Sequence, residues 1–532
     1  MKKRQIITLA VAAVVIVAIL VTAAVVGKNT PLEGTFWSLV PALIAIGLAL
    51  ITKEAYSSLF VGILTAALFA GKFNFAGTMD ILVNDGLIAA VSDTAGIFIF
   101  LVELGVIVAL VNKAGAAQAF GRWAEKHIKT KVGALIATFF LGVLIFIDDY
   151  FNCLTVGSVM SPVTDSKKIS RVKLAYLIDA TAAPICMIAP ISSWAAAVSS
   201  YVDTEAAGMS GFQLFVRAIP FNFYSLFTFV FVIAIIFMGF DYGKMAAFEI
   251  KAKEGDLGVA AKHDAGEANS KGRVIDILIP IVVLITVSVF ALLYVGGYYN
   301  ADSELYHDFI GAFGDTDATV ALPWGGLIVL VFTIAYMLIR RVLNFGDSMK
   351  SLAEGFMAMV PAILILTFAT ALKNTAGLLD SDGFVNSIMT NAGALKAFLP
   401  AIIFLLACVI SFATGTSWGT FGILIPIVTT MFPATDPLFF VLISACLAGS
   451  VCGDHCSPIS DTTIMASAGA ECNHVDHVST QLPYALTVAG ISFVMYILAG
   501  FVPVWYVCLP VGAALTVGCL FFIKFLTKKQ AA

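Results

Sequence analysis

Charge is what this sequence has least of. Asp, Glu, Lys and Arg supply 12% of its 532 residues, about half the share found in soluble domains. Because 60% of the residues are hydrophobic, the chain cannot clothe a water-soluble globule, and lipid is the solvent it suits. Basic blocks are missing too, and the net charge is −4, so nothing here would attract nucleic acid. No HExxH helix occurs, and no nucleophile stands beside a base, so an enzyme is not expected. No motif calls for a cofactor. The nine cysteines lie mostly inside apolar segments (Cys153, Cys186, Cys408, Cys446 and Cys519). There they act as small hydrophobes rather than as a disulfide framework. The first apolar run, Ile6 to Val26, outlasts a signal-peptide core and lacks a small-residue cleavage site, so a retained helix is expected.

What the chain does have is apolar runs of about 20 residues, the length that spans a bilayer. They fall near 5–26, 36–52, 55–71, 94–112, 173–200, 212–240, 274–297, 321–340, 352–372, 438–468, 482–502 and 504–526. Two further stretches, 132–163 and 396–432, carry polar residues at their middles and read as re-entrant hairpins. The layout gives about twelve crossings, with both termini on one face. Lysine and arginine place that face in the cytoplasm: Lys113, Arg122, Lys126, Lys129 and Lys131; Lys167, Lys168, Arg171 and Lys173; Arg340 and Arg341; and the Lys524–Lys529 tail. The opposite loops hold Asp203, Glu205, Asp302, Glu304, Asp308, Asp315 and Asp317. Lys72, Lys373 and Lys396 are exceptions. A multi-pass protein of the inner (cytoplasmic) membrane is therefore expected, partnered by lipid.

The two halves align weakly but in order. Pro190-Ile-Ser-Ser193 lies over Pro458-Ile-Ser-Asp461, and Asp148-Asp149-Tyr150 over Thr416-Ser417-Trp418. Each half then makes an odd number of crossings, so the second enters from the opposite side: an inverted repeat. The expected fold is an all-α polytopic membrane protein with two inverted-topology repeats, each with a re-entrant hairpin and a broken helix. Residues 1–35 form an N-terminal helix and external loop, 36–240 the first repeat and 274–502 the second. Residues 503–532 are a C-terminal helix and tail. The polar linker 241–273 reads as a mobile connector with some helix.

Four polar segments fall where a bilayer tolerates none. They are the hairpin turns at Asp148, Asp149 and Asn152 and at Thr416, Ser417 and Thr420, and the breaks running from Asp179 to Ser192 and Ser193 and from Asp454 and His455 to Ser457, Ser460 and Asp461. Irregular backbone survives in a membrane only where protein buries it or a cavity lies beside it. Hydroxyl, carboxylate and freed carbonyl oxygens are the hard ligands a small cation prefers. Five acids in these segments, with no Lys or Arg among them, point to bound cations or protons, because an unpaired intramembrane carboxylate costs several kcal/mol. The sodium candidates are Thr416, Ser417, Asp454, Ser460 and Asp461. Helix capping competes as a role for Asp179 and Asp461 in particular. Glu103, alone in its helix, suits packing or a proton relay equally well. His455 is either proton-linked or a hydrogen-bonded neighbour of Asp454. Trp194, Trp418 and Tyr150 could wall an organic solute, although such aromatics more often pack. Cys452, Cys456, Cys472, His474 and His477 suggest zinc, but about 24 Å of helix would separate the two groups, which disfavours one site.

The segments Gly415-Thr-Ser-Trp-Gly-Thr420 and Gly453-Asp-His-Cys-Ser-Pro-Ile-Ser-Asp461-Thr-Thr463 resemble those of NhaC-type sodium/proton antiporters in the ion transporter superfamily. The resemblance in architecture covers about residues 36–502. It implies a homodimer with a scaffold and a mobile transport domain, exchanging external protons for internal sodium. It puts functional weight on Thr416, Ser417, Thr420, Asp454, Ser457, Ser460 and Asp461. The same motifs occur in relatives associated with malate/lactate exchange or amino-acid uptake, so a coupled transporter of a small organic solute is the alternative.

Overall fold

The computed structural model describes residues 3–52, 55–146, 149–200, 209–259, 271–314, 316–380, 393–458 and 460–531. Among these the chain is helical throughout, with one isolated bridge between Val259 and Cys472 and no strand. Nine helices build the centre. In the first half they are α1 (Lys131–Leu144), α2 (Asp149–Ser166), α3 (Arg171–Cys186) and α4 (Ser193–Ser200). In the second half they are α5 (Leu399–Thr414), α6 (Ser417–Met431), α7 (Phe439–Cys456), α8 (Asp461–Gly469) and α9 (His474–Phe501).

All four interruptions expected from the sequence are real breaks, and local chemistry makes each. Gly415 takes a left-handed φ of 70° and returns its N–H to Ser411, ending α5. A side chain is strained in that conformation, which glycine adopts freely. Thr416 then caps α6 by accepting from the Gly419 N–H. Ser460 caps α8 in the same way through Thr463. In the first half Ser192 accepts from the Ala195 N–H and donates to the Cys186 carbonyl, bridging α3 to α4. The open end of α1 is closed by Asn152, whose Nδ2 donates to the carbonyls of Gly142 and Ile145. The Gly142 carbonyl also accepts from the Ile145 N–H, so Asn152 adds a second donor there and supplies one to Ile145, a carbonyl beyond the last turn of α1.

The two broken helices are the core of the molecule. Every residue of α3 is buried, and so is nearly every residue of α7. Small residues let the helices meet backbone to backbone, as membrane helices do. A Cβ on Gly157 of α2 would lie 2.3 Å from the Gly469 carbonyl carbon of α8, and one on Gly453 of α7 only 2.2 Å from the Cys408 oxygen of α5.

Among the described residues, seven helices are long and apolar enough to cross a membrane: Phe75–Lys113, Ile275–Val295, Thr319–Ile339, Lys396–Thr414, Phe439–Cys456, His474–Phe501 and Trp505–Thr527. Two bent pairs, one hinged by 46° between Phe221 and Phe223, raise the number to nine. Other runs expected to span are shorter apolar helices such as Tyr56–Ala70. The expected helix at 94–112 is part of a longer one that starts at Phe75 and includes a π-helical stretch, Ile81–Ile88.

The linker contains the helix its composition allowed for. Its first part is a docked helix, Gly243–Glu254. Glu249 accepts from the Ser170 N–H and hydroxyl at the start of α3 and pairs with Lys131 at the start of α1. Lys173 pairs with Asp241 just before that helix. Composition suggested mobility because the charges that hold the helix lie some 70 to 120 residues away in sequence.

Candidate functional site

Asp454, in the last turn of α7, is fully buried. Its Oδ2 accepts from the Ser417 hydroxyl at 2.8 Å and from the Thr462 hydroxyl at 3.2 Å. The α6 turn and the α7–α8 break therefore converge on one carboxylate. Around it the oxygen set continues. Ser417 also reaches the Ser450 carbonyl, Ser460 Oγ lies 3.1 Å from Thr462 Oγ1, and Ser457 donates to the Phe412 carbonyl. Thr420 donates to the Thr416 carbonyl one turn back. Thr416 serves as a helix cap, and Ser457 and Ser460 bound the break between α7 and α8.

Asp179 is not a helix cap. It lies in the middle of α3, fully buried, and its Oδ2 accepts from the Thr463 hydroxyl (2.8 Å) and the Gln481 amide (2.6 Å). Two imidazoles flank it, with His455 Nε2 3.7 Å from Oδ1 and His477 Nε2 4.0 Å from Oδ2. His455 therefore follows Asp454 in sequence but turns to Asp179 and to the Tyr224 hydroxyl, 3.2 Å from its Nδ1. Consecutive threonines on α8 thus bind two different acids: Thr462 holds Asp454 and Thr463 holds Asp179. Gln481 and Tyr224 were not among the candidate ligands, and His477 was named only in the disfavoured zinc grouping. The one hint was His477-x-x-x-Gln481, which puts both side chains on one face of a helix.

In the first half, Asp149 is buried in the first turn of α2. Asn152, one turn on, donates to three carbonyls, among them Thr181 at 3.4 Å, and keeps its own Oδ1 buried without a partner. Cys153 beside it lies 3.6 Å from the Thr462 carbonyl, which brings this turn to the α8 threonines. Ser192 is a cap, whereas the Ser193 hydroxyl is buried and has no partner among the described residues. Asp148 and the side chains of Tyr150 and Asp461 lie outside the described residues. Glu103 is buried against Gly326 in the helix Ala318–Ile339. Among the described residues no three His, Cys, Asp or Glu side chains are grouped to hold a metal ion.

An aromatic wall stands next to the hairpin turn. Trp194 of α4 packs on Trp418 of α6, with centroids 5.6 Å apart, and both pack on Phe421. The two indole N–H groups are buried and have no acceptor among the described residues.

Residues 201–501 match the family model described as the Na+/H+ antiporter family. The chain belongs to that family. It is 37% identical over 515 residues, 94% of this chain and 96% of the other, to a Haemophilus influenzae protein described as uncharacterized. It is 30% identical to a Bacillus subtilis malate-2H(+)/Na(+)-lactate antiporter over 33% of this chain and 37% of that one. Its fold is similar to that of the YdaH transporter of Alcanivorax borkumensis, with a TM-score of 0.51 and 12% identity over 86% of this chain and 98% of that one. This antiporter-family chain is a membrane-embedded secondary transporter, and the hydroxyl-lined carboxylates are its candidate coupling groups.

Proposed function

We propose that the protein exchanges sodium ions for protons by alternating access in the inner (cytoplasmic) membrane, as a homodimer with both termini in the cytoplasm and its halves inverted. The observation that supports this best is Asp454, a buried carboxylate that receives one hydroxyl from the α5–α6 turn and one from beyond the α7–α8 break. Hydroxyls that donate to the empty carboxylate can rotate and offer lone pairs to a cation instead. A carboxylate with hydroxyl and carbonyl oxygens suits sodium by the preference of hard cations for oxygen. Asp454, Ser417, Thr462 and Ser460 are the ligands we assign, with Thr416, Thr420, Ser457 and Asp461 shaping the break. Helix α8 begins there, and its N-terminal dipole favours the ionised acids beside it.

A second reading, coupled transport of a small organic anion such as a hydroxy acid, is favoured by the two unpartnered indole N–H donors of Trp194 and Trp418. Purified protein in liposomes separates the two. With sodium, proton and solute gradients varied one at a time, sodium-driven proton movement without any organic solute supports exchange. Proton movement that requires malate, lactate or an amino acid refutes it in favour of the second reading.

A further inference from the structure

His474 and His477 play no part in the Asp454 site, yet a continuous chain of polar contacts joins them to Asp179. His474, partly exposed in the first turn of α9, sets Nε2 2.8 Å from the Pro458 carbonyl and Nδ1 3.1 Å from Ser467 Oγ. Ser467 Oγ lies 2.9 Å from His477 Nδ1, and His477 Nε2 lies 3.0 Å from Gln481 Oε1. Gln481 ends the chain by donating to Asp179 Oδ2 and to the His455 carbonyl.

Counting hydrogens shows what this chain can do. Both acceptors beside the Gln481 amide nitrogen are anionic or carbonyl oxygens, so its own oxygen faces His477 and can only accept. His477 Nε2 therefore carries a proton. Ser467 has one hydroxyl hydrogen and can also donate to the Thr463 carbonyl, 2.7 Å away. With the hydrogen on that carbonyl, or on His474 Nδ1 3.1 Å away, the Ser467–His477 hydrogen bond is kept only if Nδ1 donates, and the ring is then an imidazolium. With the hydroxyl turned to Nδ1, the ring is neutral. A proton can thus be gained or lost with one hydroxyl rotation and no movement of heavier atoms. At the far end, His455 Nε2 and Asp179 Oδ1 face each other 3.7 Å apart, both buried and neither hydrogen-bonded among the described residues.

We propose that His474, Ser467 and His477 form a proton-entry path to Asp179, and that Asp179, between two histidines, carries the proton at a site separate from the sodium site at Asp454. This rests on the sodium/proton reading above. The transfer is balanced: the imidazolium of His477 gives its Nε2 proton to Asp179 Oδ2, 4.0 Å away, and keeps the Nδ1 proton that Ser467 accepts, leaving a neutral Nδ1–H imidazole and a carboxylic acid. The other titratable groups facing this cluster are Tyr176 on α3, Cys456 on α7, and Tyr224 on the helix Phe223–Met238. Further along α9, Asp241 meets Tyr484 and is paired with Lys173. Helix α8 couples the two sites. A protonated Asp179 holds Thr463 less firmly, and Thr462 transmits the change to Asp454.

The test uses full-length protein in liposomes. His477→Gln and Ser467→Ala are each expected to slow sodium/proton exchange at least tenfold and to alter its pH profile. Sodium/sodium exchange, which moves no proton, should remain near the wild-type rate. Wild-type proton exchange and pH profile in both variants would overturn the path, as would equal loss of both exchange modes. Absence of every sodium-dependent flux from the wild type would instead sink the sodium/proton reading. For that case the path has its own readout, histidine NMR of labelled protein. The His477 resonance, assigned by its loss in His477→Gln, should change between about pH 5 and 9 and shift in Asp179→Asn. A resonance flat over that range and indifferent to Asp179 overturns the path whatever the vesicles carry.

Discussion

Replacing Gly453 with alanine should damage ion binding without touching a ligand. The new Cβ would stand 2.2 Å from the Cys408 carbonyl oxygen and 2.8 Å from Ser411 Cβ, where ordinary contacts begin at 3.4 Å. The Cys408 oxygen is backbone and cannot swing away, so α7 must retreat from α5 by about 1 Å, an overpacking that costs roughly 1–3 kcal/mol. Asp454 is the next residue. A 1 Å shift stretches its 2.8 Å bond from Ser417 beyond hydrogen-bond range. Hydrogen bonds to a charged group are worth about 1.5–3 kcal/mol, so the sodium concentration for half-maximal exchange should rise about tenfold to a hundredfold. Thermal unfolding of the purified variant reports the packing term, and sodium-dependent exchange in liposomes reports the site. Gly518→Ala is the control, because nothing lies within 4 Å of its Cβ position and alanine favours a helix by up to about 1 kcal/mol. If Gly453→Ala matches the wild type in both assays, the backbone contact does not position Asp454 and the reasoning fails.

Asp454→Asn should fold and insert normally but lose sodium-driven exchange, measured at matched expression; normal turnover would remove Asp454 from the site. Trp194→Ala should cost about 3–5 kcal/mol of stability as a buried aromatic truncation. If it also raises the apparent KM for an organic solute while sparing sodium dependence, the wall is a solute pocket; unchanged KM makes it packing alone. The docked linker helix should respond to acid. Burial pushes the Glu249 carboxyl up, but the Lys173 charge and the hydrogen bonds from Lys131 and Ser170 outweigh it and hold the group below its usual 4.5. The folded state then binds that proton more weakly than the unfolded chain. Its docking contribution is complete above the unfolded value and drains away as pH falls through the lowered one. Amide exchange across Gly243–Glu254 should therefore accelerate in acid, and Glu249→Gln should show the faster exchange already near neutral pH. Equal protection in variant and wild type at neutral pH would rule out the latch.

The sequence exposed the breaks because their causes are local. Gly415, Thr416, Ser192 and Ser460 act on backbone groups within a few residues. Partner choice was hidden because it depends on packing between distant segments. His455 and Asp454 are neighbours in sequence, yet His455 faces Asp179 while Asp454 meets Ser417 and Thr462, because successive residues on a helix point about 100° apart. Gln481 meets Asp179 across 302 positions, which no spacing rule reaches. The docking of the linker was hidden for the same reason: Asp241 and Glu249 resemble solvated charge until their partners at Lys131, Ser170 and Lys173 are in view. The longer helix from Phe75 was missed because Asp80, Asp85 and Asp93 interrupt the apolar run without interrupting the backbone.

The seam between Gly157 and Gly469 has a mechanical consequence. A contact made of main chain has no slack, since no side chain stands between the helices to change rotamer and absorb a displacement. A tilt of α2, from the first half, is therefore delivered undamped to α8 and to the threonines at its other end. The pair behaves as a lever whose pivot is the glycine contact and whose working tip is Thr462 and Thr463. Even one methyl group at the pivot would act as a shim, and it would be felt at two carboxylates it never touches.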